Sequence, residues 1–183
     1  EITSSTSGEA GGSIYMISIA PSEQVVSLTN IVVKASKSTT GNAGFLAMDA
    51  GAESSTKQSV TIEKSSFSNI KALGGNAGVF YLTTNGEQDI SIDDCQFSDC
   101  EAQNEGAVMM ATGGSRDTLM SISHSTIANN TVAGNGYGGM LFMNFLQNLT
   151  LTLDSNVWRN NSAGTNPGGV VSISLQTLAS ITA

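Results

Sequence analysis

Val60-Thr61-Ile62-Glu63-Lys64-Ser65-Ser66-Phe67-Ser68-Asn69 returns, thirty residues on, as Ile90-Ser91-Ile92-Asp93-Asp94-Cys95-Gln96-Phe97-Ser98-Asp99. It is written again as Met120-Ser121-Ile122-Ser123-His124-Ser125-Thr126-Ile127-Ala128-Asn129 and as Leu151-Thr152-Leu153-Asp154-Ser155-Asn156-Val157-Trp158-Arg159-Asn160. The bulky anchors Phe67, Phe97, Ile127 and Trp158 are 30, 30 and 31 residues apart. So regular a period marks one supersecondary unit stacked on copies of itself. Within each copy Val60/Ile62, Ile90/Ile92, Met120/Ile122 and Leu151/Leu153 alternate with Ser, Thr or acidic residues, the period-2 signature of a strand with one buried face.

A glycine followed by a second apolar strand completes the unit, at Gly12, Gly44, Gly78, Gly106, Gly139 and Gly169. Two residues after each glycine stand Ile14, Leu46, Phe80, Val108, Leu141 and Val171; four after it stand Met16, Met48, Leu82, Met110, Met143 and Ile173. The segments between strands are rich in Gly, Ser, Thr, Asn and Asp and form turns, and no stretch carries a helical period with caps. A unit of this size closes no core alone. Coiling the chain so that equivalent strands lie about 4.8 Å apart buries every inner column against its copies. The expected fold is therefore all-β: a single-stranded parallel β-helix of five to six coils, right-handed by the general preference of parallel crossovers. Residues 1–183 read as one such domain, cut from a longer repeat array.

Composition narrows the function. Charged residues make up 12% of the chain and the net charge is −8, so seven basic residues cannot build a phosphate track for nucleic acid. No apolar run reaches the roughly 18 residues of a membrane span. Two cysteines and one histidine fall short of a structural metal site, and no cofactor is expected. Cys95 and Cys100 flank Phe97; their spacing admits either a local disulfide in an oxidising compartment or two small thiols filling the turn.

Asn69, Asp99, Asn129 and Asn160 share a column broken only by Ala35, which suits a left-handed corner or an inward amide ladder. Three sequons, at Asn129, Asn148 and Asn160, are candidate N-glycosylation sites; Asn148, in an inter-strand loop, is the best acceptor. An inward ladder would shield Asn129 and Asn160.

Polysaccharide lyases and hydrolases on this fold need clustered carboxylates with nearby cations. Here Asp93 and Asp94 point to opposite faces, and Ser123 interrupts the outward column Glu63, Asp93, Asp154. His124 reads as a solvent-facing turn residue. No enzymatic activity is expected. Ice binding is disfavoured too, because Glu63, Asp93 and Asp154 spoil a flat hydroxyl array.

The unusual feature lies after the glycines. Positions one and three beyond them should point outward, yet they hold Tyr15, Phe45, Val79, Tyr81, Met109, Met140, Phe142 and Val170. An apolar exterior stripe of that length exceeds what a monomer normally exposes. Either a partner covers it, or loops such as 49–59 fold back over it.

Gly11-Gly12-Ser13-Ile14, Gly138-Gly139-Met140-Leu141 and Gly168-Gly169-Val170-Val171, with Ile127-Ala128-Asn129-Asn130 and Trp158-Arg159-Asn160-Asn161, carry a resemblance to a known family. They are similar to the Gly-Gly-Ala-Ile and Phe-x-x-Asn repeats of chlamydial polymorphic outer-membrane proteins, autotransporter adhesins; related repeats occur in large protist surface proteins. Phe67 and Phe97 depart from the pattern, reaching Ile70 and Cys100 where it has Asn. The resemblance implies a pectate-lyase-like β-helix and an extracellular or cell-surface place. The expected role is structural or adhesive, through self-association or a surface-protein partner. Glycan binding or cleavage is the alternative.

Overall fold

The computed structural model describes residues 1–8, 11–17, 23–50, 56–113, 116–134, 136, 139–163, 169–175 and 179–182. The chain is a parallel β-solenoid of about five turns, with no helix among the described residues. Each turn contributes to four sheets. Sheet A holds Ile2–Thr3, Val32–Lys34, Ser66–Ser68, Gln96–Ser98, Thr126–Ala128 and Val157–Arg159; sheet B holds Thr6–Ser7, Lys37–Ser38, Lys71–Ala72, Glu101–Ala102 and Thr131–Val132. Sheet C holds Ile14–Ile17, Leu46–Asp49, Phe80–Thr84, Met109–Gly113, Leu141–Phe145 and Val171–Leu175. Sheet D holds Glu23–Thr29, Lys57–Glu63, Glu87–Asp93, Thr118–Ser123, Leu149–Asp154 and Ala179–Thr182.

All pairings are parallel and join a strand to its equivalent one coil away. Phe67 lies opposite Phe97, Phe97 opposite Ile127, and Ile127 opposite Trp158, so the anchors quoted first form one inner column. Phe67 and Phe97 stack with centroids 5.2 Å apart and planes 6° from parallel, while Phe80 meets Phe97 edge-on at 5.9 Å. Each such ring contributes about 1.5–3 kcal/mol by leaving water.

Corners make the coil possible. Between sheets D and A the residues Asn30, Lys64, Asp94, His124 and Ser155 have positive φ. Between A and B the same holds for Ser4, Ala35, Asn69, Asp99, Asn129 and Asn160. Asn and Asp tolerate this left-handed backbone better than other side chains, which accounts for the Asn/Asp column. Those side chains point outward: Asn69, Asp99, Asn129 and Asn160 are exposed. The inward amide ladder therefore stands one residue later. Asn130 donates to the Phe97 carbonyl (3.2 Å) and to Asn161 Oδ1 (3.1 Å), and its Oδ1 accepts from the Cys100 backbone N–H (2.9 Å).

Sheet D opens on a second polar column, which pattern reading passed over. Gln58 donates to Gln24 Oε1 and Gln88 to Gln58 Oε1, each at 2.9 Å. Gln58 also reaches the Thr83 carbonyl at 2.8 Å, tying sheet D to sheet C. The ladder stops at Thr118, which pairs with Gln88 in register but is too short to continue it. Gln88 Oε1 and Thr118 Oγ1 are left buried without a partner.

Candidate interaction face

The residues expected on an apolar exterior stripe divide into two groups. Phe45, Val79, Met109 and Met140 are fully buried in the core, and Val170 is half-buried against it. Two physical causes correct the expectation. First, the chain bends at the residue after the glycine, so two consecutive side chains face inward. The bend shows in the hydrogen bonds: Val79 and Phe80 both donate to the Val108 carbonyl, and Val108 and Met109 both donate to that of Met140. Second, the connection into the strand Met109–Gly113 is one residue shorter than in the coil before, as Phe80 pairs with Met109 while Ala72 pairs with Ala102. Ala107, not Gly106, therefore takes the place of Gly78, and a one-residue slip exchanges faces: Met109 turns in and Met110 out. In that coil the residues in register with Phe80 and Leu82 are Met109 and Ala111; Val108 stays in the core, aligned with Val79, while Met110 turns outward.

The glycines before sheet C follow from the same bend. A side chain on Gly78 would collide with the Ala107 carbonyl of the next coil. Gly11 and Gly106 adopt φ of 72° and 59°, where a Cβ would also strike the strand that follows.

The outward column of sheet C is thus Tyr15, Ala47, Tyr81, Met110, Phe142 and Ser172. Met110, Phe142 and Ala77 form a separate apolar cluster outside the core, with Tyr81 packed on it. Met110 and Phe142 keep only 9% and 8% of their surface, whereas Tyr15 keeps 51%. Part of the cover comes from the connections leading into sheet C, which supply Ala77 to the cluster and Glu105 beside Phe142. Of the 49–59 loop expected to fold back, residues 51–55 lie outside the described residues. A cleft of about 280 Å³ opens between Glu105, Phe142, Asn144, Ser172 and Ser174. Burial raises the Tyr81 phenol above its usual range, and Asp49 and Glu105 add to this by repelling the phenolate. Burial also raises the Glu105 carboxyl.

Cys95 and Cys100 are both free and buried in this structure, as two small thiols filling the turn. Each faces inward at a corner, where its thiol donates to main-chain carbonyls: Cys95 to Asp93 at 3.2 Å and Cys100 to Ser98 at 3.4 Å. Desolvation pushes Cys100 up to about 12 and raises Cys95, so neither offers a thiolate. The sequon asparagines Asn129, Asn148 and Asn160 are all exposed; the first and last take the left-handed corner and not an inward ladder, and Asn160 donates to Asn129 Oδ1 on the outer face at 3.4 Å.

On the edge of sheet D, His124 Nδ1 lies 2.8 Å from Asp93 Oδ1, and the Ser123 hydroxyl donates to the same oxygen at 2.7 Å. The contact raises His124 and lowers Asp93, in both cases chiefly through that hydrogen bond. Both polar neighbours thus converge on the carboxylate, and the serine is not aligned on the imidazole. Among the described residues no three His, Cys, Asp or Glu side chains are grouped to hold a metal ion, and no helix is long and apolar enough to cross a membrane. No family model, no curated protein and no solved structure matches the chain.

Proposed function

We propose that this chain is a non-enzymatic structural or adhesive segment of an extracellular β-helix, which meets its partner through the outer face of sheet C. The observation that carries the reading is the half-exposed Tyr15, with Tyr81 two coils along the same outward column. The outward column of sheet D at the same depth is Ser27, Thr61, Ser91, Ser121 and Thr152, the polar surface a solvated solenoid normally presents. Among the described residues large outward rings stand on this side of the rod, which marks it as the contact face. The three exposed sequon asparagines and the resemblance of the Gly-Gly and bulky-x-x-Asn repeats to those of surface adhesins favour an extracellular place. The arrangement around His124 favours a non-catalytic role, since Ser123 bonds to Asp93 and not to the imidazole.

Comparing the protein with a Tyr15→Ser/Tyr81→Ser variant tests the reading. Sedimentation velocity measures self-association, and pull-down on intact cells and extracellular matrix measures adhesion. The double variant is expected to lose whichever association the parent shows while keeping its melting temperature. Equal behaviour of the two proteins, or release of reducing ends from a polysaccharide, would contradict it.

A further inference from the structure

Resting on the reading of the chain as an extracellular segment, we infer that it carries N-linked glycans at two of its three sequons, Asn148 and Asn129, and that Asn129, once modified, excludes a second glycan at Asn160. The first ground is placement. Asn148 lies between the strands Leu141–Phe145 and Leu149–Asp154, and both it and Thr150, the hydroxyl residue of its sequon, are exposed. Asn129 and Asn160 stand at the left-handed corner between sheets A and B, with φ of 57° and 53°, and are exposed as well. The residues that follow them, Asn130 and Asn161, are the ones that turn inward, donating to the carbonyls of Phe97 and Ile127. A sugar on either corner asparagine therefore leaves the ladder that closes the corner intact.

The second ground is register. Ala128 pairs with Arg159, so Asn129 and Asn160 are equivalent residues of adjacent coils, which stack about 4.8 Å apart. Their amides touch on the outer surface, where Asn160 Nδ2 donates to Asn129 Oδ1. A branched oligosaccharide is far wider than one coil, and two of them cannot leave the surface side by side from neighbouring coils. Asn129 is the acceptor that keeps the contact between the two: its Nδ2 has no partner among the described residues, and its Oδ1 still accepts from Asn160 when Nδ2 carries a sugar. Asn148 Nδ2 donates to Asp117 Oδ1 at 3.1 Å, and a glycosylated amide retains one N–H for that bond.

The donor is a lipid-pyrophosphate-linked oligosaccharide of a eukaryotic secretory pathway. The asparagine Nδ2 attacks C1 of the first sugar; the C1–N bond forms, the C1–O bond to the pyrophosphate breaks with its electron pair, the amide gives up one proton, and nothing is oxidised or reduced. The glycans also bound the contact face. Asn148 follows the fifth strand of sheet C, whereas Tyr15 and Ile17, 51% and 61% exposed, lie on the first. A glycan at Asn148 crowds the late coils on that side of the rod and leaves the apolar pair of the first coil bare for a partner.

Secretion of the full chain from cultured animal cells behind a cleavable signal peptide tests the inference, read by intact mass before and after enzymatic removal of N-glycans and by peptide mapping. The secreted protein should carry two glycans, at Asn148 and Asn129. Asn148→Gln should leave one. Asn129→Gln should still carry two, because Asn160 is then free to be modified, and Thr131→Ala, which removes the sequon but keeps the corner asparagine, should do the same. Asn129→Gln/Asn160→Gln should carry one. Secreted chains modified at both Asn129 and Asn160, or unmodified at Asn148 or at the corner, would overturn it. A secreted chain with no glycan at all removes the inference and leaves the extracellular reading standing. A chain that enters the pathway and is retained in the cell removes the extracellular reading and the inference with it.

Discussion

In sheet D the side chains of Lys57–Glu63 alternate strictly between buried and partly or fully exposed, whereas in sheet C the four successive residues Phe45, Leu46, Ala47 and Met48 are all buried. Both sheets are parallel stacks of six strands around one core. The difference lies in how the chain enters them. Sheet D strands run straight for six or seven residues in the central coils, long enough for alternation to decide which side chain meets water. Sheet C strands start at a bend, where inward and outward are set by the corner and not by the pleat. Ala47 adds a second effect, being outward in register yet covered from outside the core. A solenoid therefore has two kinds of apparent exterior, and only one is open to a partner.

Four perturbations break or sharpen that contrast. The largest effect is expected at Phe97, where inner columns meet: it stacks on Phe67 of sheet A and meets Phe80 of sheet C edge-on. Phe97→Ala should cost about 3–5 kcal/mol in urea unfolding. A loss under about 1 kcal/mol would mean that the ring column does not hold the sheets together.

Next is the corner ladder. Asn130 is fully buried and satisfies the Cys100 amide of one coil while bonding Asn161 of the next. Asn130→Ala leaves buried main-chain groups unpaired and should cost about 1–3 kcal/mol by the same assay. An unchanged midpoint would argue against the ladder.

Thr118→Gln tests the polar entrance of sheet D in the opposite direction. A fourth rung would give the orphaned Gln88 Oε1 a donor, and stability should rise by about 1 kcal/mol. A loss would show that the space beside Gln88 does not admit the longer side chain.

The smallest effect belongs to the exposed His124–Asp93 pair, read by NMR and not by stability. His124 is raised, so its contribution is complete below its unfolded value and disappears as pH climbs through the folded one. Asp93 is lowered, so its contribution is complete above its unfolded value and disappears as pH falls through the folded one. Together they leave the contact intact over roughly pH 4 to 6.5. The His124 ring midpoint should lie above that of a free histidine and fall in Asp93→Asn; an unshifted midpoint in the variant would remove the pair.

Much of this architecture was legible beforehand, and the misses share a cause. The Phe67/Phe97/Ile127/Trp158 column and the sheet D columns follow from spacing alone, because equivalent residues in parallel coils must stack. The Met109 strand was misplaced because one residue is missing from the connection before it, which is invisible when units are aligned on glycines. The Asn69/Asp99/Asn129/Asn160 column is the left-handed corner, the first of the two readings its spacing allows, and the inward rung is Asn130; Asn129 and Asn130 are both Asn, so composition does not say which of them faces in. Gln24, Gln58 and Gln88 sat two residues before the inner columns of sheet D and could have been found from that offset. The part of the face left open, Tyr15 with Tyr81, could not be read in advance. It depends on where Ala77 and Glu105 lie over the sheet, and short polar connections carry no periodic signal.

The account turns on the claim that two residues of one strand entrance, Val79 and Tyr81, separated only by Phe80, belong to the core and to the contact face respectively. Urea unfolding of Val79→Ser beside Tyr81→Ser puts it to the test. Val79→Ser should lose about 2–4 kcal/mol and Tyr81→Ser no more than about 1 kcal/mol. Equal tolerance of both substitutions, or the reverse order, would contradict the division of sheet C on which the contact face rests.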